Sequence, residues 1–432
     1  MGLPAYARWQ GLGLLPTRTS NPQTPNSPPL PPLHSSSSVP PPCVTGDPPP
    51  PKTRMRRKLW RCAASGLLVA AAMGLWILQQ PRPQALLRAS AFWRAPCPLQ
   101  SLWNRELALM HGQRLRRRGL ARSTGSGPRC RPDTTVETSV VDFQLLPPLM
   151  QDFLRYRRCR SFPVVLEPRG VCGPGPGPSP RLLLAVKSQV SNFARRQAIR
   201  QSWGGLGRSA GVGLVFLLGQ QEEVDGHPRL QGLLDCERRS HGDLLQWGFR
   251  DTFLNLTLKE VLFLPWLARR CPSARFIFKG DDDIFVNTEG LLGFLTLLEQ
   301  VHDLFLGDTI EDGRPCRDAE IKYYVPGAFY SGLYPAYAGG AGVLYTAHLA
   351  RRLERASRSL PLFPIDDVFV GMCLRSLGLA PTPHPDFYSF GINDSQHWDP
   401  CAYHRLLMVH PRSPHENLLI WGMLHSGDLC CD

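Results

Sequence analysis

The stretch FKGDDDIFVN, Phe278 to Asn287, sets three consecutive carboxylates between two apolar runs. Like charges packed side by side cost energy unless a cation stands opposite. In an extended segment alternate side chains share a face, so Asp281 and Asp283 are expected to point the same way. Two carboxylates on one face suit a hard divalent cation, Mg²⁺ or Mn²⁺, whose other positions go to water and phosphate oxygens. A bare acidic triplet is also what a solvated turn looks like. The runs FIF before it and IFV after it argue for a buried setting instead.

Upstream of the triplet, short apolar runs alternate with helical patterns. RLLLAVKS (181–188), GLVFLLG (213–219), DLLQWGF (243–249) and RFIFKG (275–280) predict strands. SNFARRQAIRQSW (191–203) predicts a helix with Ser191 as N-cap and Gly204 and Gly205 as its stop. LTLKEVLFLPWLARRC (256–271) predicts a long helix kinked at Pro265. This alternation gives an α/β class with a largely parallel central sheet. Ligands of such sheets bind beyond the carboxyl ends of the strands, and the triplet lies at such an end.

Further constellations follow. In PIDDVFVGMCLRSLG (364–378), Asp366 and Asp367 open an apolar helix. Acidic residues in a first turn suit the helix dipole, so one of the pair can cap while the other faces a cleft as a base. In YPAYAGGAGVLYT (334–346), Tyr334 and Tyr337 precede Gly339, Gly340 and Gly342. Such glycines permit close backbone approach or positive φ, in a ligand site or in a plain turn. Arg196 and Arg200, four apart on one helix face, repel unless an anion sits between them. With Lys187 at the end of the preceding strand they could neutralise a diphosphate or simply form a solvated face. His410 ends the apolar run LLMVH, where a histidine is usually structural but can also ligate a metal.

The chain has 432 residues, 43% of them hydrophobic, which is ample for one large core. Its formal charge of +14 is concentrated in basic blocks around 54–61 and 114–118. No zinc-finger spacing, RRM signature or recognition helix accompanies them, so a nucleic-acid partner is set aside. The first block flanks LWRCAASGLLVAAAMGLWIL (59–78), close to the ~20 residues that cross a bilayer. Positive residues on its N-terminal side place the N-terminus in the cytosol and the rest in the lumen. A cleaved signal peptide fits less well, because QQPRPQ offers no small-residue cleavage site. The domain plan is therefore a Pro- and Ser-rich cytosolic tail (1–58), an anchor (59–78), a stem (79–135) carrying a short helical patch, and a luminal domain (136–432). Met55 is a possible second start. Eleven of the 13 cysteines are luminal on this plan, without the spacing of a zinc site, and at least one is unpaired or bridges chains. Asn255 and Asn393 begin glycosylation sequons.

RRQAIRQSWG (195–204), VFLLG (215–219), DTFLNLTLKEVLFL (251–264), FKGDDDIFVN (278–287), KYYVPGAFYSGLYPAYAGG (322–340) and FPIDDVFVGMCLRSLGL (363–379) resemble the β-1,3-glycosyltransferase family. Within it they are most similar to the β-1,3-N-acetylglucosaminyltransferases of the poly-N-acetyllactosamine-extending type. The resemblance runs from near Phe92 through FLRYRRCRSFPVVLEP (153–168) to Cys430. It implies a GT-A fold in a Golgi type II membrane protein. It implies inverting transfer of N-acetylglucosamine from UDP-GlcNAc to the 3-hydroxyl of a terminal β-galactose. It also implies Mn²⁺ at Asp283 and His410 with Asp281 close by. Asp367 is the expected base, with Asp366 as the alternative. Lys187, Arg196, Arg200, Asp281, Asp282, Gly339 and Gly340 fall on the UDP-sugar side, and Tyr334 and Tyr337 on the acceptor side. Two other readings stay open: a β-1,3-galactosyltransferase, and a weakly active glycan-binding partner of an active paralogue, as homo- or hetero-oligomer. One departure matters. Ala341 stands where paralogues carry a glycine, and its methyl would crowd a position needing positive φ or a sugar.

Overall fold

The computed structural model describes residues 101–117, 130–172, 180–221 and 230–426. The expected tail, the anchor at 59–78, Met55 and most of the stem lie outside the described residues. No helix among the described residues is long and apolar enough to cross a membrane.

An eight-stranded sheet forms the centre. Its strands are β1 (Val164–Leu166), β2 (Leu182–Lys187), β3 (Val212–Gln220), β4 (Leu244–Arg250), β5 (Phe276–Asp281), β7 (Phe305–Ile310), β8 (Tyr337–Thr346) and β9 (Thr382–Pro383), in the order β1-β4-β3-β2-β5-β8-β7-β9. The run β4-β3-β2-β5 is parallel. β1 and β8 pair antiparallel at either side of that run, and β7 pairs antiparallel with β8. The sheet is thus mixed rather than largely parallel, because β8 reverses direction beside the acidic strand. A second sheet holds β10 (Phe387–Tyr388), β11 (Met408–Val409) and β6 (Phe285–Val286).

β2 shows why both faces must be covered. All six of its residues are buried. Leu183 and Ala185 join one apolar cluster, while Leu182, Leu184 and Val186 join the other. The first cluster is closed by the helices Leu256–Arg270, Ala347–Ser357 and Asp366–Ser376. The second is closed by Phe193–Gln201, Leu230–His241, Pro414–Leu424 and the small sheet.

Several expectations shift. The helix after β2 is capped at Asn192, not Ser191, and runs Phe193–Gln201. Pro265 sits inside a helix that continues through it to Arg270. The folded unit also begins inside the expected stem. The helix Leu102–Arg117 buries Trp103 completely, and its indole donates to the Pro361 carbonyl at 3.2 Å. Glu106 from this helix and Asp133 share the buried guanidinium of Arg157. A tryptophan seated in the core belongs to the folded unit, so Leu102–Arg117, placed in the expected stem, packs with the luminal domain. Disulfides Cys130–Cys159 and Cys172–Cys271 tie two of the more irregular stretches to this frame.

Candidate active site

Parallel pairing of β2 with β5 places Lys187 opposite Asp281 at the carboxyl edge of the sheet. β5 ends at Asp281, so the strand alternation expected across the triplet stops there. Each carboxylate consequently finds a different partner.

Asp281 lies 3.0 Å from the Lys187 ammonium. Asp282 is buried and accepts from Ser188 Oγ at 2.6 Å, Asn192 Nδ2 at 2.9 Å and Arg195 Nη1 at 2.9 Å. Both of its oxygens are engaged by protein donors. Asp283 takes the same Arg195 nitrogen on Oδ2 at 2.9 Å and faces His410 Nε2 from Oδ1 at 3.7 Å. The opposite ring nitrogen, His410 Nδ1, lies 2.8 Å from the Ser389 carbonyl. A carbonyl can only accept, so Nδ1 carries a proton, and in the neutral ring Nε2 is then the lone-pair nitrogen that faces Asp283. Among the described residues no group of three or more His, Cys, Asp or Glu side chains converges as a metal cage. Asp283 and His410 are the two side chains here that could ligate a divalent cation.

Lys187 joins the two acidic motifs. Besides Asp281 it contacts Asp366 Oδ2 at 2.9 Å and donates to the Gly340 carbonyl at 3.2 Å. Burial alone would strip its proton, but Asp281 and Asp366 outweigh that and hold its pKa well above the ordinary lysine range. Lys187 is thus a buried clamp rather than a free cation for a nucleotide. Burial would raise Asp366 as well, yet Lys187 and Lys279 hold it below the usual carboxylate range. Its neighbour behaves oppositely. Burial and the adjacent Asp366 charge push Asp367 up to about 7. Asp367 Oδ1 accepts from the Val368 amide at 2.7 Å, and no ion pair reaches Asp367 among the described residues. Two adjacent carboxylates are thereby driven apart in charge state, the pattern that separates an electrostatic anchor from a proton acceptor.

Arg196 and Arg200 are corrected. An anion does sit between them, but it is Glu237, at 2.7 Å from each. Arg200 also binds Asp243 at 2.7 Å, and Arg196 is fully buried. Arg195, which the sequence did not single out, is the half-exposed cation beside Asp282 and Asp283. The available signal was its spacing from Asn192: three apart, the two share a helix face, and both reach Asp282.

Gly339, Gly340 and Gly342 all have ordinary φ. Gly339 and Gly342 serve close approach instead: a Cβ on Gly339 would meet Ser389 Oγ at 2.8 Å and one on Gly342 would meet the Phe278 ring at 2.9 Å, whereas a Cβ on Gly340 would meet Asp367 Oδ2 at an ordinary 3.5 Å. Ala341 likewise has no positive φ, and its methyl is buried in the cluster containing Phe278 and Met408. The expected crowding at Ala341 is therefore absent from the backbone. Tyr334 and Tyr337 are 5% and 7% exposed and pack edge to face, with Tyr334 also against Tyr330 and Phe363. They pack beside Asp367, mostly out of solvent. Asn393 is exposed, whereas Asn255 is half-buried and donates to the Arg250 carbonyl at 2.9 Å.

A galactosyltransferase family profile matches residues 194–385, which holds the triplet, the glycine strand and the Asp366–Asp367 helix. The chain is 45% identical over 359 residues to N-acetyllactosaminide beta-1,3-N-acetylglucosaminyltransferase 2 of Mus musculus, covering 79% of this chain and 88% of that one. The chain belongs to this glycosyltransferase family. The human form of the same relative is 43% identical, over 81% of this chain and 90% of its own. UDP-GlcNAc:betaGal beta-1,3-N-acetylglucosaminyltransferase 9 of Homo sapiens is 46% identical, over 65% of this chain and 76% of its own. The mixed α/β sheet is the fold of a glycosyltransferase of this family, with the matched region spanning β3 to β9.

Proposed function

We infer that the chain is an inverting β-1,3-N-acetylglucosaminyltransferase of GT-A architecture that uses UDP-GlcNAc and a galactose-terminated acceptor. The observation that carries the mechanism is the divided pair: Asp366 held ionised by Lys187, and Asp367 beside it poised near neutrality. Inversion needs a single in-line displacement at the anomeric carbon. As the acceptor 3-hydroxyl attacks, Asp367 takes its proton on a carboxylate oxygen. The C–O bond to the diphosphate breaks in the same step, and UDP leaves with the electron pair. Arg195, paired with Asp282 and Asp283 and partly exposed, is the cation proposed to offset the charge that develops on the leaving diphosphate. Asp283 and His410 are the residues that would hold Mn²⁺, which when bound supplies Lewis-acid stabilisation to the departing diphosphate. Asp281 is read as oriented by Lys187 rather than as a ligand. Gly340 puts bare backbone beside Asp367, where a Cβ would stand 3.5 Å from its Oδ2. Anchoring as a type II protein through 59–78 rests on the basic flank and the apolar length of that segment, and Golgi residence rests on the family resemblance.

The test uses the full-length chain with a lactosamine acceptor and either UDP-GlcNAc or UDP-galactose, with Mn²⁺ or with EDTA. Metal-dependent transfer of GlcNAc is expected. Preferential transfer of galactose would overturn the donor, and glycan binding without turnover of either donor would overturn the activity.

A further inference from the structure

The helix Leu256–Arg270 carries an anomaly. Lys259 and Glu260, adjacent in its apolar stretch LTLKEVLF, are 1% and 3% exposed. Charged residues are almost never buried unless paired. Both are paired, and both partners lead to the active site. Lys259 binds Asp251 at 2.9 Å and donates to the Ser188 carbonyl at 2.7 Å. Ser188 in turn holds Asp282 through its hydroxyl. Glu260 pairs with Lys279 of β5, itself 6% exposed. Lys279 lies on the same face of β5 as Asp281, two residues on, and lines a small cavity with Gly340, Asp366 and Asp367.

We propose that Glu260 and Lys279 are positioning residues for the Asp366–Asp367 turn: Glu260 anchors the Lys279 ammonium beneath the two carboxylates, so that Asp366 stays ionised on Lys187 and Asp367 is left to receive the proton. This rests on the reading of Asp367 as the base. A buried ammonium with no counter-ion would shed its proton. Burial and the nearby Lys187 charge push Lys279 down to about 7, against the opposing pull of Asp366, Asp281 and Asp367, and Glu260 is the carboxylate in direct contact with its ammonium on the side away from them. The groups that face Asp367 are Lys187 from β2, Lys279 and Asp281 from β5, its own neighbour Asp366, Tyr337 from β8 and Tyr334 from the segment before it. Only Lys187 and Lys279 are cations. Lys187 is shared with Asp281, which leaves Lys279 as the tunable charge.

The experiment measures kcat, KM for UDP-GlcNAc and the pH profile of kcat on the full-length chain, for Lys279→Met, Glu260→Gln and the Glu260→Gln/Lys279→Met double variant. Lys279→Met removes positive charge from the carboxylates and so raises the pH at which Asp367 ionises. We expect kcat to fall ~10-fold or more with KM altered less than ~2-fold, and the acid limb to move up by ~0.5 pH unit or more. Glu260→Gln should move both in the same direction by less. The double variant leaves no unpaired charge, so it keeps the protein folded if a single variant does not. It should retain the low kcat and the raised limb. A double variant with wild-type kcat and limb, or folded single variants with unchanged limbs, would show that the pair only fills space. Failure of the wild-type chain to transfer GlcNAc, or full activity in Asp367→Asn, would remove the base assignment itself and is a separate result.

Discussion

The Lys187 ammonium lies 2.9 Å from Asp366 Oδ2, joining strand β2 to the first turn of a helix 179 residues later in the chain. The same nitrogen holds Asp281 at 3.0 Å. One buried cation therefore fixes the acidic triplet and the Asp366–Asp367 turn in a common frame.

Replacing that cation should unfold more than it disarms. Lys187→Met leaves Asp366, whose side chain is 9% exposed, buried without its counter-ion. Breaking one side of a buried pair costs about 3–5 kcal/mol. A large drop in the thermal midpoint is expected. The pH dependence carries the sign. The folded pKa of Asp366 is depressed, so its stabilisation is complete above the ordinary carboxylate pKa and fades as pH falls through the depressed value. The acid-side loss of stability in the wild type should shrink in Lys187→Met, as followed by thermal unfolding from pH 7 to pH 3. An unchanged acid-side profile would show that the contact carries little energy.

Asp367→Asn should lower kcat by ~10²–10⁴-fold while UDP-GlcNAc binding survives, because the base acts only in the transition state. Asp366→Asn should lower both stability and activity. Isothermal titration with UDP-GlcNAc separates the two outcomes: Asp367→Asn binds normally, and parity between the variants in both assays would void the division of roles.

Rate should climb with pH through about 7 and level above it, since Asp367 must be ionised to take a proton. The Asp366 charge helps raise that value, so Asp366→Asn should shift the acid limb to lower pH. A flat profile between pH 5.5 and pH 8 would count against Asp367 as the base.

His410→Ala should raise the Mn²⁺ concentration needed for half-maximal rate by ~10-fold or more and leave folding intact, because His410 is partly exposed and its other partner is a carbonyl. Asp282→Ala should do the reverse. It removes the acceptor for Ser188, Asn192 and Arg195, so stability falls before metal dependence changes. Mn²⁺ titration beside thermal unfolding distinguishes them.

Ala341→Gly should leave donor and acceptor kinetics within ~2-fold, and cost about 1 kcal/mol of stability through the lost methyl and the freer backbone. Its methyl already packs with Phe278 and Met408 at an ordinary φ. A marked gain in kcat would mean that the methyl reaches the substrate.

The sequence by itself determined the alternation of strands and helices, the position of the acidic triplet at a strand end, and the opening of an apolar helix by Asp366 and Asp367. These are local properties: periodicity, the burial of FIF and IFV, and a carboxylate in a first helical turn. It also carried the family motifs, which are contiguous. What it could not determine is which charge meets which. Arg196 and Arg200 meet Glu237 and Asp243 because the Leu230–His241 helix and its exit turn pack against them, and the sequence separation of about 40 residues hides that contact. Lys187 meets Asp366 only because β2, β5 and β8 lie side by side, with β8 reversed. The burial of Lys259 and Glu260 follows only once the helix is laid on the sheet. A side chain's charge is local, but the dielectric around it and the counter-ion opposite it are set by elements far away in the chain, and those two quantities decide whether a carboxylate anchors, ligates or takes a proton.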